Sequence, residues 1–276
     1  MKRQESPIIR FFYGTALGRI CLKPFITRGF SRLMGKILNS GLSRALIPHF
    51  IRRNHIDMAD YEQRNYQSFN DFFTRRLQPN ARPIDQNPHH LISPCDGKLL
   101  AYDITPDGAF TVKHNEYTLE SLLGSRKTAA SFMGGKCLIF RLTPAHYHRY
   151  IFIDNIHEFG TIYIDGVFHC VRPLALANAK VFITNCREYA LMATENFGSV
   201  VQMEVGAMSV GKISNHELTA PARRGQEKGF FEFGGSTVII LLQKDIVRLN
   251  SDIAADSACG REHPVKLGEK IGEKLC

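Results

Sequence analysis

The chain has 276 residues, 44% of them hydrophobic and 22% charged, with a formal net charge of +9. Its length permits one domain with a sizeable core plus an N-terminal appendage. The seven cysteines are odd in number, scattered and without a C-x-x-C pair. This usage argues against a disulfide framework and indicates reduced thiols in a cytoplasmic protein.

The positive charge is concentrated at the N-terminus. Residues 1–53 hold eleven lysines and arginines against one acid, Glu5. Large apolar residues are interleaved with these cations, and Arg28, Arg32 and Lys36 recur at a spacing that places them on one face of a helix. This pattern is typical of an interfacial membrane helix. We therefore expect residues 1–60 to be a basic amphipathic helical region whose partner is an anionic phospholipid membrane.

Other interpretations of this region differ in how well they fit the residues. A basic arm for nucleic acid would carry fewer large apolar residues, so we expect no nucleic-acid partner. The interpretation of this region as an amphipathic helix that simply docks on the core stays open as an alternative. No stretch reaches the roughly 18–20 apolar residues that span a bilayer, and no secretory signal pattern is present. The sequence thus predicts a retained, peripheral region on the cytoplasmic side of the cell membrane.

Residues 61–276 have the pattern of a β-rich catalytic domain, which makes the predicted fold class α+β. Residues 61–77 and 115–123 are expected to be helical, and the polar tail after Asn250 is expected to pack loosely. Short apolar runs between Gly, Pro, Asn and Asp predict the strands. These are Lys98–Tyr102, Ala109–Val112, Lys136–Leu142, Thr161–Ile164, Val181–Ile183, Ala190–Ala193, Val200–Val205, Ser209–Ile213 and Thr237–Leu242.

The dipeptide Gly235-Ser236, just before the last predicted strand, has the form of a self-cleaving peptide bond. A serine hydroxyl can attack the carbonyl of the preceding residue, and a glycine there has no Cβ to crowd the attack. If the resulting ester eliminates, Ser236 becomes an N-terminal pyruvoyl group, a ketone that condenses with an amine and acts as an electron sink. The alternative is an ordinary turn entering a strand.

Self-cleavage needs a base for the Ser236 proton, and histidine with a supporting carboxylate suits that role near neutral pH. Asp96 and His148 are the candidates. A turn at Asp96-Gly97 and a structural role for His148 are the alternatives. His146 and His148 form an H-x-H pair that a strand would present on one face, but no ligand cluster accompanies it, so we expect no metal site.

Three further segments carry a resemblance to a known family. They are Ser93–Lys98, Arg141–Tyr150 and Arg224–Gly229, and they stand in register with Phe233–Ile240. In this order they resemble the phosphatidylserine decarboxylases, pyruvoyl enzymes with a D-G, a Y-H-R and a terminal G-S-T motif. The resemblance extends from about Phe69 to about Lys244. It implies that Asp96 is the charge-relay aspartate and that His148 is the histidine of the Y-H-R motif.

The sequence departs from the commonest form of this family at one position. Many members read Y-H-R-x-H and use the second histidine in the charge relay, whereas Ile151 stands there in this chain. Either His148 serves both self-cleavage and decarboxylation, or another histidine has taken one of these roles. His169 is the candidate, since it lies where the family also approaches the site. The division of roles between His148 and His169 stays open.

The resemblance implies conversion of phosphatidylserine to phosphatidylethanolamine and carbon dioxide by a covalent pyruvoyl group derived from Ser236. It also implies that the products of self-cleavage, a β chain of residues 1–235 and an α chain of residues 236–276, stay associated. Two alternatives remain. One is a pyruvoyl decarboxylase of a soluble amino acid, for which the basic apolar N-terminus is unnecessary. The other is a non-enzymatic peripheral membrane protein in which Gly235-Ser236 is a structural turn.

Overall fold

A computed structural model describes residues 6–208, 212–217, 221–233 and 236–275. The expected α+β class is confirmed, with helices at the N-terminus and a sheet-rich core. Two short 3-10 helices cover Lys23–Ile26 and Gly41–Leu46. The α-helices are α1 (Pro7–Gly14), α2 (Ala16–Leu22), α3 (Arg28–Asn39), α4 (Ile47–Asn54), α5 (Phe69–Phe73), α6 (Leu119–Leu123), α7 (Arg126–Ala130), α8 (Pro173–Asn178), α9 (Val181–Thr184) and α10 (Ser251–Ala258).

Helices α2 and α3 each begin after a threonine whose side chain satisfies a free backbone N–H group. The Thr15 hydroxyl accepts a hydrogen bond from Gly18 N at the start of α2, and the Thr27 hydroxyl accepts one from Phe30 N at the start of α3. Tyr13 of α1 is buried against α8. These helices are therefore docked on the core through one side, while many of their other apolar side chains remain exposed.

The strands are β1 (His90–Ile92), β2 (Gly97–Asp103), β3 (Ala109–Val112), β4 (Asn115–Thr118), β5 (Lys136–Leu142), β6 (Arg149–Ile151), β7 (Ile156–Ile164), β8 (Arg187–Thr194), β9 (Ser199–Gly206), β10 (Ile213–Asn215), β11 (Glu227–Phe231), β12 (Ser236–Leu242), β13 (Val247–Leu249), β14 (His263–Val265) and β15 (Lys270–Lys274). A seven-stranded antiparallel sheet has the order β14-β2-β5-β12-β9-β8-β7. Two three-stranded sheets, β1-β15-β13 and β10-β11-β6, and the hairpin β3-β4 complete the described β structure.

Strand β12 lies in the middle of the large sheet, and all seven of its residues are buried. Its side chains alternate between two hydrophobic clusters, because successive residues of a strand point to opposite faces. Val238, Ile240 and Leu242 belong to one cluster, and Ile239 and Leu241 belong to the other. The sheet is therefore covered on both faces, which explains why this strand reads as a continuous apolar run.

Several local predictions were wrong. Residues 61–77 form one short helix, α5, and otherwise a loop closed by a bridge between Tyr61 and Leu77. The predicted strand Val181–Ile183 is helix α9, since so short an apolar run does not distinguish the two. Residues 115–118 of the predicted helix are strand β4. Of the predicted strand at 209–213, residues 209–211 lie outside the described part of the chain.

The C-terminal tail was expected to pack loosely, and this was also wrong. Strand β14 pairs with β2, and β15 lies between β1 and β13. Ile253, Val265 and Ile271 are buried in the main hydrophobic cluster. The tail is polar because only one side of each of its elements faces the core, so its few apolar residues are enough to attach it.

Candidate active site

Ser236 is the first residue of β12 and is fully buried. It lies opposite Leu142 of β5 and Gly206 of β9. Its hydroxyl Oγ has no hydrogen-bond partner among the described residues, and neither has Oγ1 of Thr237. A buried hydroxyl without a partner is costly to a fold, which makes it a candidate for chemistry. Gly235, the predicted other half of the cleaved bond, lies outside the described residues.

Asp96 immediately precedes β2, at the same end of the sheet's strands as Ser236. Lys98 of β2 pairs with Arg141 of β5, and Arg141 pairs with Thr237 of β12. The buried carboxylate accepts three hydrogen bonds from the Arg82 side chain. Nε donates to Oδ1 at 3.0 Å and to Oδ2 at 3.3 Å, and Nη2 donates to Oδ2 at 2.9 Å. Leu267 N donates to Oδ1 at 2.9 Å. Asp96 is therefore held by a cation and a backbone amide, and no imidazole donates to it among the described residues.

His148 lies in the connection between β5 and β6 and is almost fully buried. Its Nδ1 is 2.9 Å from the carbonyl oxygen of His146. A carbonyl only accepts, so Nδ1 carries the proton and Nε2 carries the lone pair. Nε2 has no partner among the described residues. Burial, and next the positive charge of Arg75, lower the pKa of His148 well below its usual value, so the ring is a neutral base at pH 7.

Aromatic side chains connect His148 to the segment that leads into Ser236. The Phe73 ring lies 4.0 Å from the His148 ring and 5.0 Å from the Phe233 ring, measured between centroids. Phe231 N also donates to the His148 carbonyl at 2.9 Å. His148 is thus fixed to the strand and turn just ahead of the predicted cleavage bond.

His146 is a residue whose position the sequence did not predict. The H-x-H pair lies in a loop and not on a strand, so the expected shared strand face was wrong. His146 Nδ1 accepts from Thr143 N at 3.0 Å, which leaves Nε2 as the protonated nitrogen of the neutral ring. Burial lowers the pKa of His146 to about 4, while the nearby Asp96 carboxylate acts in the opposite direction. Only the spacing of the pair gave a signal for this residue.

His169 is connected through its main chain to β9, the strand next to β12. Asn185 connects the two, because its Nδ2 donates to His169 O at 2.8 Å and to Gly206 O at 2.7 Å. Gly206 is the residue opposite Ser236 in the sheet. The Tyr13 hydroxyl lies 3.3 Å from His169 Nδ1, so the first helix contacts this histidine. Burial lowers the pKa of His169.

A buried ion pair lies beneath this region. Lys228 Nζ is 2.6 Å from Glu204 Oε2, and both side chains are buried. Asn215 accepts from Lys228 at 3.3 Å and from the Tyr150 hydroxyl at 2.9 Å. Glu204 lies opposite Val238, two residues after Ser236. The segment that contains Lys228 contributed to the family resemblance, but the pairing of Lys228 with Glu204 is visible only in the tertiary structure.

The chain matches a known protein family over most of its length. The sequence model of the family described as phosphatidylserine decarboxylase matches residues 69–273. The chain therefore belongs to the phosphatidylserine decarboxylase family, a family of decarboxylating enzymes.

Curated relatives support the same assignment over nearly the whole chain. Phosphatidylserine decarboxylase proenzyme 2 of Clostridium acetobutylicum is 42% identical over 99% of this chain and 94% of its own length. A phosphatidylserine decarboxylase proenzyme of Clostridium perfringens is 39% identical over 96% of this chain and 92% of its own length. One from Clostridium botulinum is 40% identical over the same shares. The similarity thus includes the N-terminal helices as well as the core.

Proposed function

We propose that this chain converts phosphatidylserine to phosphatidylethanolamine and carbon dioxide by means of a pyruvoyl group that it makes from Ser236. The observation that carries the proposal is the buried, unpartnered hydroxyl of Ser236 at the start of a central strand. An ordinary turn would expose this hydroxyl or hydrogen-bond it. Membership of the family favours this reaction over decarboxylation of a soluble amino acid and over a purely structural role.

His148 is the proposed base for self-cleavage. Its Nε2 lone pair takes the Oγ proton of Ser236, and Oγ attacks the carbonyl carbon of Gly235. The C–N bond between the two residues then breaks, the nitrogen takes up a proton, and an ester joins Gly235 to Ser236. Loss of the Cα proton breaks the Oγ–Cβ bond and releases the Gly235 carboxylate. Hydrolysis releases the nitrogen as ammonia and leaves a ketone at residue 236.

Two buried polar atoms without a hydrogen-bond partner among the described residues suit such a group. They are Ser236 Oγ, from which it would form, and Nε2 of His148, whose ring packs on Phe73 and through it on Phe233, just ahead of residue 236. A pyruvoyl group supplies the electron sink for the pair released when carbon dioxide leaves. The neutral histidines His148 and His169 then hold or deliver the proton that replaces the carboxylate. In the proposal, Asp96 holds the start of β2 in place through its ion pair with Arg82. His146 lies near the Asp96 carboxylate.

The two chains produced by cleavage are proposed to stay together. Strand β12 pairs along its whole length with β5 and β9, which both belong to the β chain. Its five aliphatic side chains from Val238 to Leu242 are fully buried. Fully burying such side chains contributes about 1.5–3 kcal/mol each, so their burial strongly favours the bound state of the α chain.

The N-terminal region, residues 1–60, is proposed to hold the catalytic domain, residues 61–276, on the cytoplasmic face of the membrane. In the described part of the chain, no helix is long and apolar enough to cross a membrane. Nine of the exposed large apolar side chains lie between residues 8 and 46, among the cations. They are Ile8, Phe11, Leu17, Ile20, Phe25, Leu33, Ile37, Leu42 and Leu46. Exposed apolar residues with interspersed cations suit an anionic lipid surface.

Intact mass spectrometry tests the self-cleavage. Wild-type protein should give two chains that break between residues 235 and 236, the smaller one beginning with a pyruvoyl group. Ser236→Ala should give one folded, inactive chain of 31.2 kDa, because it removes a single hydroxyl. A single unmodified wild-type chain, or decarboxylase activity in Ser236→Ala, would overturn the proposal.

Variants of the two histidines divide their roles. If His148 is the base, His148→Gln remains a single chain, whereas His169→Gln is cleaved and loses decarboxylation rate. Normal cleavage of His148→Gln would assign the base elsewhere.

Vesicle binding tests the membrane proposal. Leu17→Gln/Ile20→Gln should bind vesicles of phosphatidylglycerol and phosphatidylcholine at least about tenfold more weakly, since two inserted side chains are lost. The matched control is Ile162→Gln/Leu191→Gln, two exposed apolar residues of β7 and β8. Equal binding by both double variants would contradict a membrane face on the N-terminal helices.

A further inference from the structure

A short segment, helix α5 with the two residues after it, contacts both groups that the proposed self-cleavage brings together. On one side, the Phe73 ring packs on the ring of His148, the proposed base, with 4.0 Å between the centroids. On the other side, Asn70 Oδ1 accepts a hydrogen bond from Phe233 N at 3.0 Å, three residues ahead of Ser236. The base and the chain that leads to the cleaved bond are therefore held by the same element.

Arg75, which follows this helix, is a buried cation without a carboxylate partner. Its side chain is 0% exposed, and it forms no ion pair with any described residue. Its guanidinium lies over the Tyr61 ring at 4.2 Å and the Phe72 ring at 5.0 Å. Nε and Nη1 have no hydrogen-bond partner in the described part of the chain. A buried charge with unpaired donors destabilises a fold unless something offsets it, which makes the contacts of the remaining nitrogen, Nη2, informative.

Arg75 Nη2 donates to carbonyl oxygens of the loop that carries His148. It lies 3.3 Å from Ala145 O, 3.2 Å from His146 O and 3.3 Å from the Tyr61 hydroxyl. The same His146 oxygen accepts from Nδ1 of His148 at 2.9 Å. A carbonyl oxygen has two lone pairs, so it can accept both hydrogen bonds at once. Arg75 thereby fixes the acceptor that keeps the proton of His148 on Nδ1 and leaves Nε2 free to take a proton.

The orientation of this carbonyl matters because the peptide after His146 lies in the connection between β5 and β6 and not in a strand. If that peptide rotated, the Tyr147 N–H would face His148 Nδ1 in place of the carbonyl oxygen. Nδ1 would then be the acceptor and Nε2 would carry the proton, so Nε2 could no longer take the Ser236 proton. A side chain that holds two successive carbonyl oxygens opposes this rotation.

Asn70 holds the other partner of the reaction, the chain ahead of the cleaved bond. Its side chain is buried, and its Nδ2 donates to Glu232 Oε2 at 3.4 Å. The Phe233 ring packs against Phe69 of the same helix, with 4.9 Å between the centroids. Phe233 stands two residues before the carbonyl that Ser236 attacks in the proposed cleavage. Two residues reach at most about 7 Å, so the position of Phe233 limits where that carbonyl can lie.

We infer that Asn70 and Arg75 are positioning residues for self-cleavage. Asn70 holds the chain ahead of the cleaved bond, and Arg75 holds His148 in the tautomer that can act as a base. The inference rests on the proposed function, because it takes His148 as the base for the Ser236 proton. It adds that α5 and the residues after it, which exchange no proton themselves, set the geometry between the base and the bond.

The tautomer of His148 tests the role of Arg75 without any catalysis. In uncleaved Ser236→Ala protein with nitrogen-labelled histidine, NMR at pH 7 should show His148 protonated on Nδ1 alone, and His148→Gln identifies its signals. Arg75→Met in this background should shift the Nδ1 signal toward its unprotonated position and the Nε2 signal toward its protonated one. Arg75→Lys, which keeps a donor and the charge, should restore the original signals. A charged ring carries a proton on both nitrogens, so the spectrum separates loss of the Arg75 charge from loss of its hydrogen bonds.

Arg224→Met is the matched control for this experiment. Arg224 also donates to three backbone carbonyl oxygens, at 2.7–2.9 Å, and none of them is in the loop of His148. The control should leave the His148 signals unchanged, whatever stability it removes. An unchanged tautomer in Arg75→Met, or the same change in the control, would overturn the role of Arg75.

The rate of self-cleavage after cell-free synthesis tests the role of Asn70. Asn70→Ala should cleave about tenfold more slowly than wild-type protein, because the hydrogen bond that holds Phe233 N is lost. Asn70→Asp/Glu232→Gln exchanges the donor and the acceptor between these two side chains and keeps the acceptor for Phe233 N. This exchanged pair should recover the wild-type rate, which a loss of stability alone would not predict.

Asn155→Ala is the matched control for Asn70→Ala. Asn155 likewise accepts from a backbone N–H, that of Arg224 at 3.0 Å, and donates to a glutamate, Glu195 at 2.7 Å. It should change the cleavage rate less than twofold. Wild-type cleavage by Asn70→Ala, equal slowing by Asn155→Ala, or no recovery in the exchanged pair would overturn the role of Asn70.

Circular dichroism shows which variants fold. Arg75→Gln, whose side chain is shorter and uncharged, replaces Arg75→Met if that variant does not fold, and Asn70→Ser replaces Asn70→Ala. A wild-type chain that never cleaves would refute the proposed chemistry, whatever the tautomer of His148. Wild-type cleavage with unchanged rates and tautomers in the variants would refute this inference alone.

Discussion

The buried pair of Lys228 and Glu204 gives the sharpest prediction about stability. The two side chains are 5% and 0% exposed, and their charged atoms are 2.6 Å apart. Removing one partner of a buried pair leaves an uncompensated charge, which costs about 3–5 kcal/mol. Glu204→Gln should therefore lower the free energy of unfolding by about that amount, because the Lys228 ammonium group stays buried among Tyr150 and Asn215.

The partner variant, Lys228→Met, should depend on pH. Burial raises the pKa of Glu204. A buried carboxyl group whose pKa is raised in the folded state destabilises the fold less once it is protonated. The free-energy penalty of burying it therefore falls as the pH drops through its pKa in the folded state. We expect the destabilisation by Lys228→Met to be smaller at pH 5.5 than at pH 7. The double variant Glu204→Gln/Lys228→Met has no buried charge at this position. Its loss of unfolding free energy should therefore be smaller than the sum of the losses in the two single variants.

Urea unfolding in the uncleaved Ser236→Ala background measures these values on one covalent chain. The control is the same cycle on Lys136 and Asp103, a pair at 2.6 Å whose side chains are 34% and 84% exposed. Its coupling should be about 0–1 kcal/mol. Single losses below about 1 kcal/mol at Lys228 and Glu204, or strictly additive effects, would refute the reasoning that burial makes this pair different.

Three other predictions concern protonation and burial. Unfolding free energy should fall as the pH drops from 6.5 to about 4, because the unfolded chain takes up a proton that half-buried His146 resists in the folded chain. The loss is up to about 3 kcal/mol and should be reduced in His146→Gln. Arg75→Met removes a charge that opposes protonation of His148, so the acid limb of the self-cleavage rate should move to higher pH, while Arg75→Lys should leave it in place. Iodoacetamide followed by peptide mapping should label exposed Cys259 in the native protein and spare Cys95, whose pKa burial raises; equal labelling would contradict its burial.

The sequence alone determined the elements whose patterns are local. The predicted strand Lys136–Leu142 matches β5, and Thr237–Leu242 differs from β12 by one residue. A strand buried on both faces needs an uninterrupted apolar run, and such a run can be recognised directly in the sequence. The cationic face of α3 was also predictable from the sequence, since it follows from the helical period alone.

The tertiary structure decided the elements and contacts that depend on distant partners. Residues 61–77 are a closed loop because Tyr61 pairs with Leu77, and the tail after Asn250 is ordered because it completes two sheets. Asp96 takes Arg82 as its partner, which no spacing in the sequence indicated. Motifs show which residue types are available for chemistry. Hydrogen bonds and burial then fix which of them is a neutral base and which is held in an ion pair, because both depend on groups far apart in the chain.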